Sequence, residues 1–296
     1  MKLSLSNNSF YFISPEDAME KIKNAGFDAM DYRMTEVGIW KNPEKFFSMI
    51  ERHKNAAEKC GIFLGQTHGP YMTPCDDDEK TKELFEAQKM SIKAAEILGI
   101  PYLVFHVCVY SGHLSEEERK IAGEKNIAWF SRLIPYLKNS PVKVCIENCY
   151  IDLPDESGCY PTFGSCGEEM VYLIDSLNEK AGFTAFGACL DVGHCHTCGG
   201  DAPRMARLLG KRLLALHLHD NDRRNDYHLP PFCSANGIDW EELAKALGEI
   251  EYKGTLNFEI DSLIVRRSPD LTQATLELFL EIGKELRHMI KGGRNV

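Results

Sequence analysis

The chain has 296 residues, 44% of them hydrophobic and 26% charged, with a formal net charge of −10. That length can bury a sizeable core, and the composition is that of a soluble globular protein rather than a disordered or fibrous one. The acidic balance argues against a nucleic-acid binder, because phosphate contacts need clustered Lys and Arg, and leaves small polar or anionic substrates open.

The eleven cysteines are an odd number scattered along the chain. The residues from Met1 to Asn7 contain no apolar run of signal-peptide length, and no segment reaches the length of a membrane span. The expectation is a cytoplasmic protein with reduced thiols and no membrane contact. Cys195-x-x-Cys198 has no second Cys-x-x-Cys to complete a four-cysteine zinc site, so this pair is assigned to packing.

Taken in order, short apolar runs alternate with helical segments. Residues 3–5 read as a first strand, followed by a helix that opens at Ser14-Pro15-Glu16-Asp17 and ends at Gly26. Ser14 is its N-cap, Pro15 occupies the first helical position and Asp17 is a first-turn carboxylate. Strands are then expected at 29–33, 63–66, 102–105, 142–146, 183–190, 213–218 and 255–258. Helices are expected at 43–59, 77–98, 115–137, 167–177, 202–209, 239–247 and 271–290. The strands are almost wholly apolar, as when both faces of a parallel sheet are covered. No Pro/Gly/Ser-rich linker divides the chain. The natural closure is one domain over residues 1–296, a (β/α)₈ barrel. An open doubly wound sheet would want a glycine-rich phosphate turn after the first strand, and Ser6-Asn7-Asn8-Ser9 is not one.

The residues that end these strands share a chemistry. The apolar runs are followed by His68, His106, Glu147, Asp191 with His194, His217 or His219, and Glu259. In a barrel the C-terminal strand ends lie on one face and line one cavity. A lone histidine at a strand end is ordinarily a hydrogen-bonded rim residue. Six strands obeying one rule point instead to a metal centre. Mixed carboxylate and imidazole donors suit one divalent ion, Mn²⁺, Mg²⁺, Co²⁺ or Zn²⁺. Cys145 and Cys149, two residues to either side of Glu147, are given packing roles on the side away from it. In the long connection after His217, Arg223 and Arg224 are either a clamp for an anion or sugar hydroxyl or a solvated pair beside neighbouring aspartates.

These motifs carry a resemblance. Thr67-His68-Gly69-Pro70-Tyr71, Phe105-His106, Ile146-Glu147-Asn148, Leu190-Asp191-Val192-Gly193-His194, His217-Leu218-His219-Asp220, Asp226-Tyr227-His228, Gly237-Ile238-Asp239-Trp240 and Phe258-Glu259 together resemble the xylose isomerase-like barrels. That superfamily holds sugar isomerases and epimerases and also the endonuclease IV type of DNA-repair enzyme. Resemblance to the ketose epimerases implies one metal held by Glu147, Asp191, His217 and Glu259, with His219 as fallback for His217. Glu147 and Glu259 are then also the acid/base pair. His194 and Arg223 would touch substrate, and His68, His106 and His228 could bind substrate hydroxyls or phosphate. The implied activity is isomerisation or epimerisation of a sugar, sugar phosphate or cyclitol through an enediolate.

Two alternatives stand beside this. The endonuclease IV type holds three zinc ions, and His68, His106, Glu147, Asp191, His194, His217, Asp226, His228 and Glu259 match its set; the acidic charge and the absence of basic, aromatic-studded loops speak against DNA. In the sugar-enzyme reading, the loop Phe232-Cys233-Ser234-Ala235-Asn236 departs from the glycine-rich version expected before Ile238-Asp239-Trp240, a departure that bears on how the site closes over substrate. A non-catalytic metal- or sugar-binding barrel predicts that Glu147 or Glu259 is displaced from the site. Related barrels often form dimers or tetramers, so homo-oligomerisation is a further expectation.

Overall fold

A computed structural model describes residues 1–34, 39–112, 114–152, 158–260 and 268–292. Its strands in chain order are β1 (Leu3–Ser6), β2 (Ala29–Arg33), β3 (Phe63–His68), β4 (Tyr102–His106) and β5 (Lys143–Glu147). A two-stranded antiparallel hairpin of β6 (Tyr150–Asp152) and β7 (Cys159–Pro161) follows, then β8 (Phe186–Asp191), β9 (Leu213–His217) and β10 (Leu256–Phe258). Apart from the hairpin the strands form one parallel sheet in the order β10-β1-β2-β3-β4-β5-β8-β9. The sheet closes on itself. Leu218 bridges Phe258 in parallel, its N–H donating to the Asn257 carbonyl at 2.8 Å, and Glu259 N–H donates back to Leu218 at 3.2 Å. The eight-stranded barrel expected from the alternation of elements is therefore the observed fold.

Local sequence sets most of the surrounding helices. Helix Pro15–Asn24 is capped by Ser14, whose side chain accepts from Asp17 N–H at 3.1 Å. Helix Trp240–Glu249 is capped by Asp239 in the same way. Helices Pro43–Cys60 and Asp78–Leu98 end on Gly61 and Gly99 at φ of 69° and 67°, a left-handed turn that glycine adopts without a Cβ penalty. Among the described residues no helix is long and apolar enough to cross a membrane.

Several boundaries differ from expectation by a few residues, among them the helix expected at 167–177, which runs on to Ala181. The 115–137 segment splits into helices Glu116–Ser131 and Ile134–Leu137, because Pro135 has no N–H to continue the ladder. The sixth barrel strand starts at Phe186 rather than 183. The Asn178 side chain accepts from both Ala185 and Phe186 N–H at 2.9 Å and holds the approach against the preceding helix. The last helix begins at Pro269, capped by Ser268, rather than at 271.

The main apolar core lies between the barrel wall and the helices. Inside the barrel a thin layer of Val104, Cys145, Cys189 and Ala215 fills the space beneath the strand ends. Cys145 thus faces inward with Glu147, not away from it. Side chains alternate with a period of two, so residues two apart share a face. Cys149, beyond the strand, reaches His106, with Sγ 3.7 Å from Nδ1.

Candidate metal centre

Inward-facing register positions bring the strand ends together. Arg33 pairs with His68, His106 with Glu147, and Asp191 with His217. Glu147, Asp191, His217 and Glu259 are all buried there. The His217 Nδ1 atom is their common point, 3.0 Å from Glu147 Oε1, 3.3 Å from Glu259 Oε2 and 3.6 Å from Asp191 Oδ2. Glu147 in turn faces three more imidazoles. His106 Nε2 and His68 Nε2 lie 3.3 and 3.5 Å from its Oε2, and His194 Nδ1 lies 3.4 Å from its Oε1.

A second group adjoins the first. His219 Nε2 is 3.0 Å from both Asp191 oxygens, and its ring stacks on His228 with centroids 4.0 Å apart. Asp226 Oδ2 lies 2.9 Å from His228 Nε2 and 3.5 Å from His194 Nε2, and accepts from the Tyr150 hydroxyl at 3.2 Å. Among the described residues, three sets of potential ligand atoms come within 4.8 Å of one another: His68, Glu147, His217 and Glu259; Glu147, Asp191 and His194; and His194, His219, Asp226 and His228.

Neighbouring segments hold these ligands in place. Asp191 caps the short helix Val192–Thr197 by accepting from His194 N–H at 2.6 Å, which seats His194 one turn beyond the strand. Asn148 donates to the Asp191 carbonyl and accepts from its N–H, at 2.8 and 2.9 Å. The Asp220 carboxylate receives the Trp240 indole N–H at 3.1 Å and the Ile238 N–H at 3.2 Å, fastening the loop after β9 to the Gly237-Ile238-Asp239-Trp240 segment.

Charge is balanced within the cluster. Burial pushes carboxyl groups up, yet Glu147 and Asp191 are held well below the usual carboxylate range, by His217 and His106 for the first and His194 and His219 for the second. Burial drives His106 down to about 4. His68 and His228 are raised against their burial, to about 9 by Asp31 and about 10 by Asp226. Glu147 Oε2, His219 Nδ1 and Asp226 Oδ1 are buried without a hydrogen-bond partner. Buried polar atoms are ordinarily satisfied, and these face a dense oxygen and nitrogen donor set. The residues therefore fit a divalent cation, with no thiolate required.

The structure brings together all the expected residues but one. Arg223 is exposed, at φ 69°, and its Nη2 donates to the Gly199 carbonyl at 3.0 Å, so its guanidinium is spent on the loop rather than aimed at the ligands. His219 is not merely an alternative to His217, because both reach the site through different carboxylates. Sequence reasoning passed over Asp31 and Tyr150. A carboxylate inside the apolar run Ala29–Arg33 was the available signal for Asp31; Tyr150 arrives on the hairpin and had none.

Residues 19–282 match the xylose isomerase-like TIM barrel family. The chain belongs to that family. An uncharacterized protein of Methanocaldococcus jannaschii, MJ1311, is 24% identical over 293 residues, covering 96% of this chain and 91% of its own. A probable endonuclease 4 of Methanoculleus marisnigri is 24% identical over 220 residues, covering 70% and 73%. Among solved structures, the IOLI protein with a binding zinc atom superposes with a TM-score of 0.73 at 17% identity, covering both chains completely. A D-tagatose 3-epimerase-like protein gives 0.72 at 20% identity over 96% of this barrel and 99% of its own chain. At these identities the superpositions establish the shared family fold.

Proposed function

We propose that this family member is a divalent-metal-dependent isomerase or epimerase of a small polyhydroxylated carbonyl compound, a sugar, sugar phosphate or cyclitol. The observation that carries this reading is the placement of Glu147 and Glu259, from strand ends on different sides of the barrel, against the same nitrogen of His217. Neither glutamate is displaced, as a purely binding barrel would have it. The likeness to sugar epimerases and to a zinc-holding barrel supports the same reading.

Glu147, Asp191, His217 and Glu259 would hold the metal, with His68 at its edge. A bound divalent ion supplies Lewis-acid stabilisation of negative charge on substrate oxygens. Glu147 and Glu259 are ionised in the buried site and so can accept a proton from the carbon next to a carbonyl. One glutamate removes it and the other returns it to the opposite face or the neighbouring carbon. His106 and His194 are placed to hydrogen-bond substrate hydroxyls. The test is incubation of manganese-loaded protein with ketoses, aldoses and cyclitol ketones in D₂O, following loss of the C–H signal beside the carbonyl. Exchange in one class supports the proposal; none in any class overturns it.

A second reading is favoured by the His194, His219, Asp226 and His228 group. A multi-metal phosphoester hydrolase of the endonuclease 4 type would use it. Metal content discriminates the two: a single ion per chain fits the isomerase, and three zinc ions with cleavage of an abasic-site duplex fit the hydrolase.

A further inference from the structure

Asp31 lies on β2, which contributes none of the ligands described above, and its side chain is fully buried. Its Oδ2 atom accepts from Asn257 Nδ2 at 3.1 Å and Gln66 Nε2 at 3.4 Å, so its place is fixed by amides from β10 and β3. The same oxygen lies 3.4 Å from His68 Nδ1 and 3.8 Å from His217 Nε2. Both are the rear nitrogens of their rings. The front nitrogens, His68 Nε2 and His217 Nδ1, face Glu147 at 3.5 and 3.0 Å. The two rings stack, with centroids 4.6 Å apart and planes 25° from parallel. His68 Nδ1 is buried and makes no hydrogen bond, and Asp31 Oδ2, 3.4 Å away, is the acceptor that faces it.

We propose that Asp31 is a positioning residue that orients two imidazoles at once, directing Nε2 of His68 and Nδ1 of His217 to the metal by holding the opposite nitrogen of each. A metal-bound imidazole is neutral and keeps one N–H, and a carboxylate behind it decides which nitrogen that is. One carboxylate here selects opposite tautomers in two stacked rings. Cys189, whose Sγ lies 3.5 Å from His217 Nε2, shares the rear contact, but its thiol is a weak acceptor. The inference rests on the metal-binding reading of the site.

Two measurements test it. Nitrogen-15 histidine spectra of the zinc-loaded protein should show His68 protonated at Nδ1 and His217 at Nε2. Asp31→Asn keeps the shape and removes the charge. It should weaken zinc binding, read by chelator competition, by about 10–100-fold, the usual effect of removing such a partner, with an unchanged far-ultraviolet circular dichroism spectrum. Wild-type zinc affinity in a folded Asp31→Asn protein overturns the proposal, and so does His68 carrying its proton on Nε2. If that variant does not fold, the wild-type spectra decide alone. If the wild-type protein binds no zinc, the metal reading fails, and the tautomers of the metal-free protein above the imidazolium range still decide the orienting role.

Discussion

Gly193 lies flat against the imidazole of His219, so close that a β-carbon at Gly193 would overlap the ring. His219 cannot retreat, because it bonds Asp191 on one side and stacks on His228. The glycine in Asp191-Val192-Gly193-His194 is therefore a clearance for the imidazole that follows β9. Gly193→Ala should cost about 1–3 kcal/mol, the usual range for overpacking. Urea unfolding of the two proteins measures it. The variant should also bind metal more weakly, and wild-type behaviour in both respects would contradict the steric argument.

Glu147 and Glu259 meet the same nitrogen of His217, at 3.0 and 3.3 Å, so replacing either should act on the chemistry of one site. Glu147→Gln and Glu259→Gln should each lower solvent deuterium exchange into substrate by at least about 10²-fold, the lower end of what acid–base assistance contributes. Full exchange in either variant would remove that glutamate from the mechanism.

The buried carboxylates Asp31, Glu147, Asp191 and Glu259 and the partly buried Asp226 converge with their imidazoles in one volume, and a cation bound only by the folded state must stabilise it. Stripping with a chelator should lower the thermal midpoint, and adding back Mn²⁺ or Zn²⁺ should restore it. Stabilisation of about 2.7 kcal/mol is expected when the free ion is at about 100 times its dissociation constant. A midpoint indifferent to chelator and metal would count against a metal centre.

A separate pH effect should come from His53, outside the site. Its ring is buried with Nδ1 2.6 Å from the Tyr32 hydroxyl. Burial lowers its pKa; Glu16 partly opposes this, and the nearby Arg52 guanidinium adds to it. The folded state thus prefers the neutral ring. Its contribution to stability is whole above the ordinary value of 6.5 and is lost as pH falls through the lowered folded value. The stability advantage of wild type over His53→Gln, measured by urea unfolding, should be larger at about pH 8 than at about pH 5, on either side of the free-histidine range. An equal advantage at both would refute the assignment.

The barrel was legible because each of its eight strands is an apolar run bounded by caps and glycines, and local chemistry of that kind acts within a few residues. Ser14, Asp239, Gly61 and Gly99 behave as their types require, and the strand-end positions of Glu147, Asp191, His217 and Glu259 follow from the closure that the alternation implies. The hairpin Tyr150–Pro161 and the helix Val192–Thr197 were not legible, since neither has a periodic apolar face. A long polar loop gives no direction to a side chain, and the contact of the Arg223 guanidinium with the Gly199 carbonyl could not be read from it.

The sequence by itself determined which chemical groups stand at the ends of the strands and that those ends share one face, because both follow from chain order and a period of two. Tertiary structure alone decided how the groups divide among ligand sets. His217 ends β9 and His219 follows it by two residues, yet the first meets Glu147 and Glu259 while the second meets Asp191 and lies on His228. That division depends on the stagger between neighbouring strands and on the loop that carries Asp226 and His228 back over the barrel mouth. Neither is encoded by local propensity; both are set by packing between segments distant in the chain.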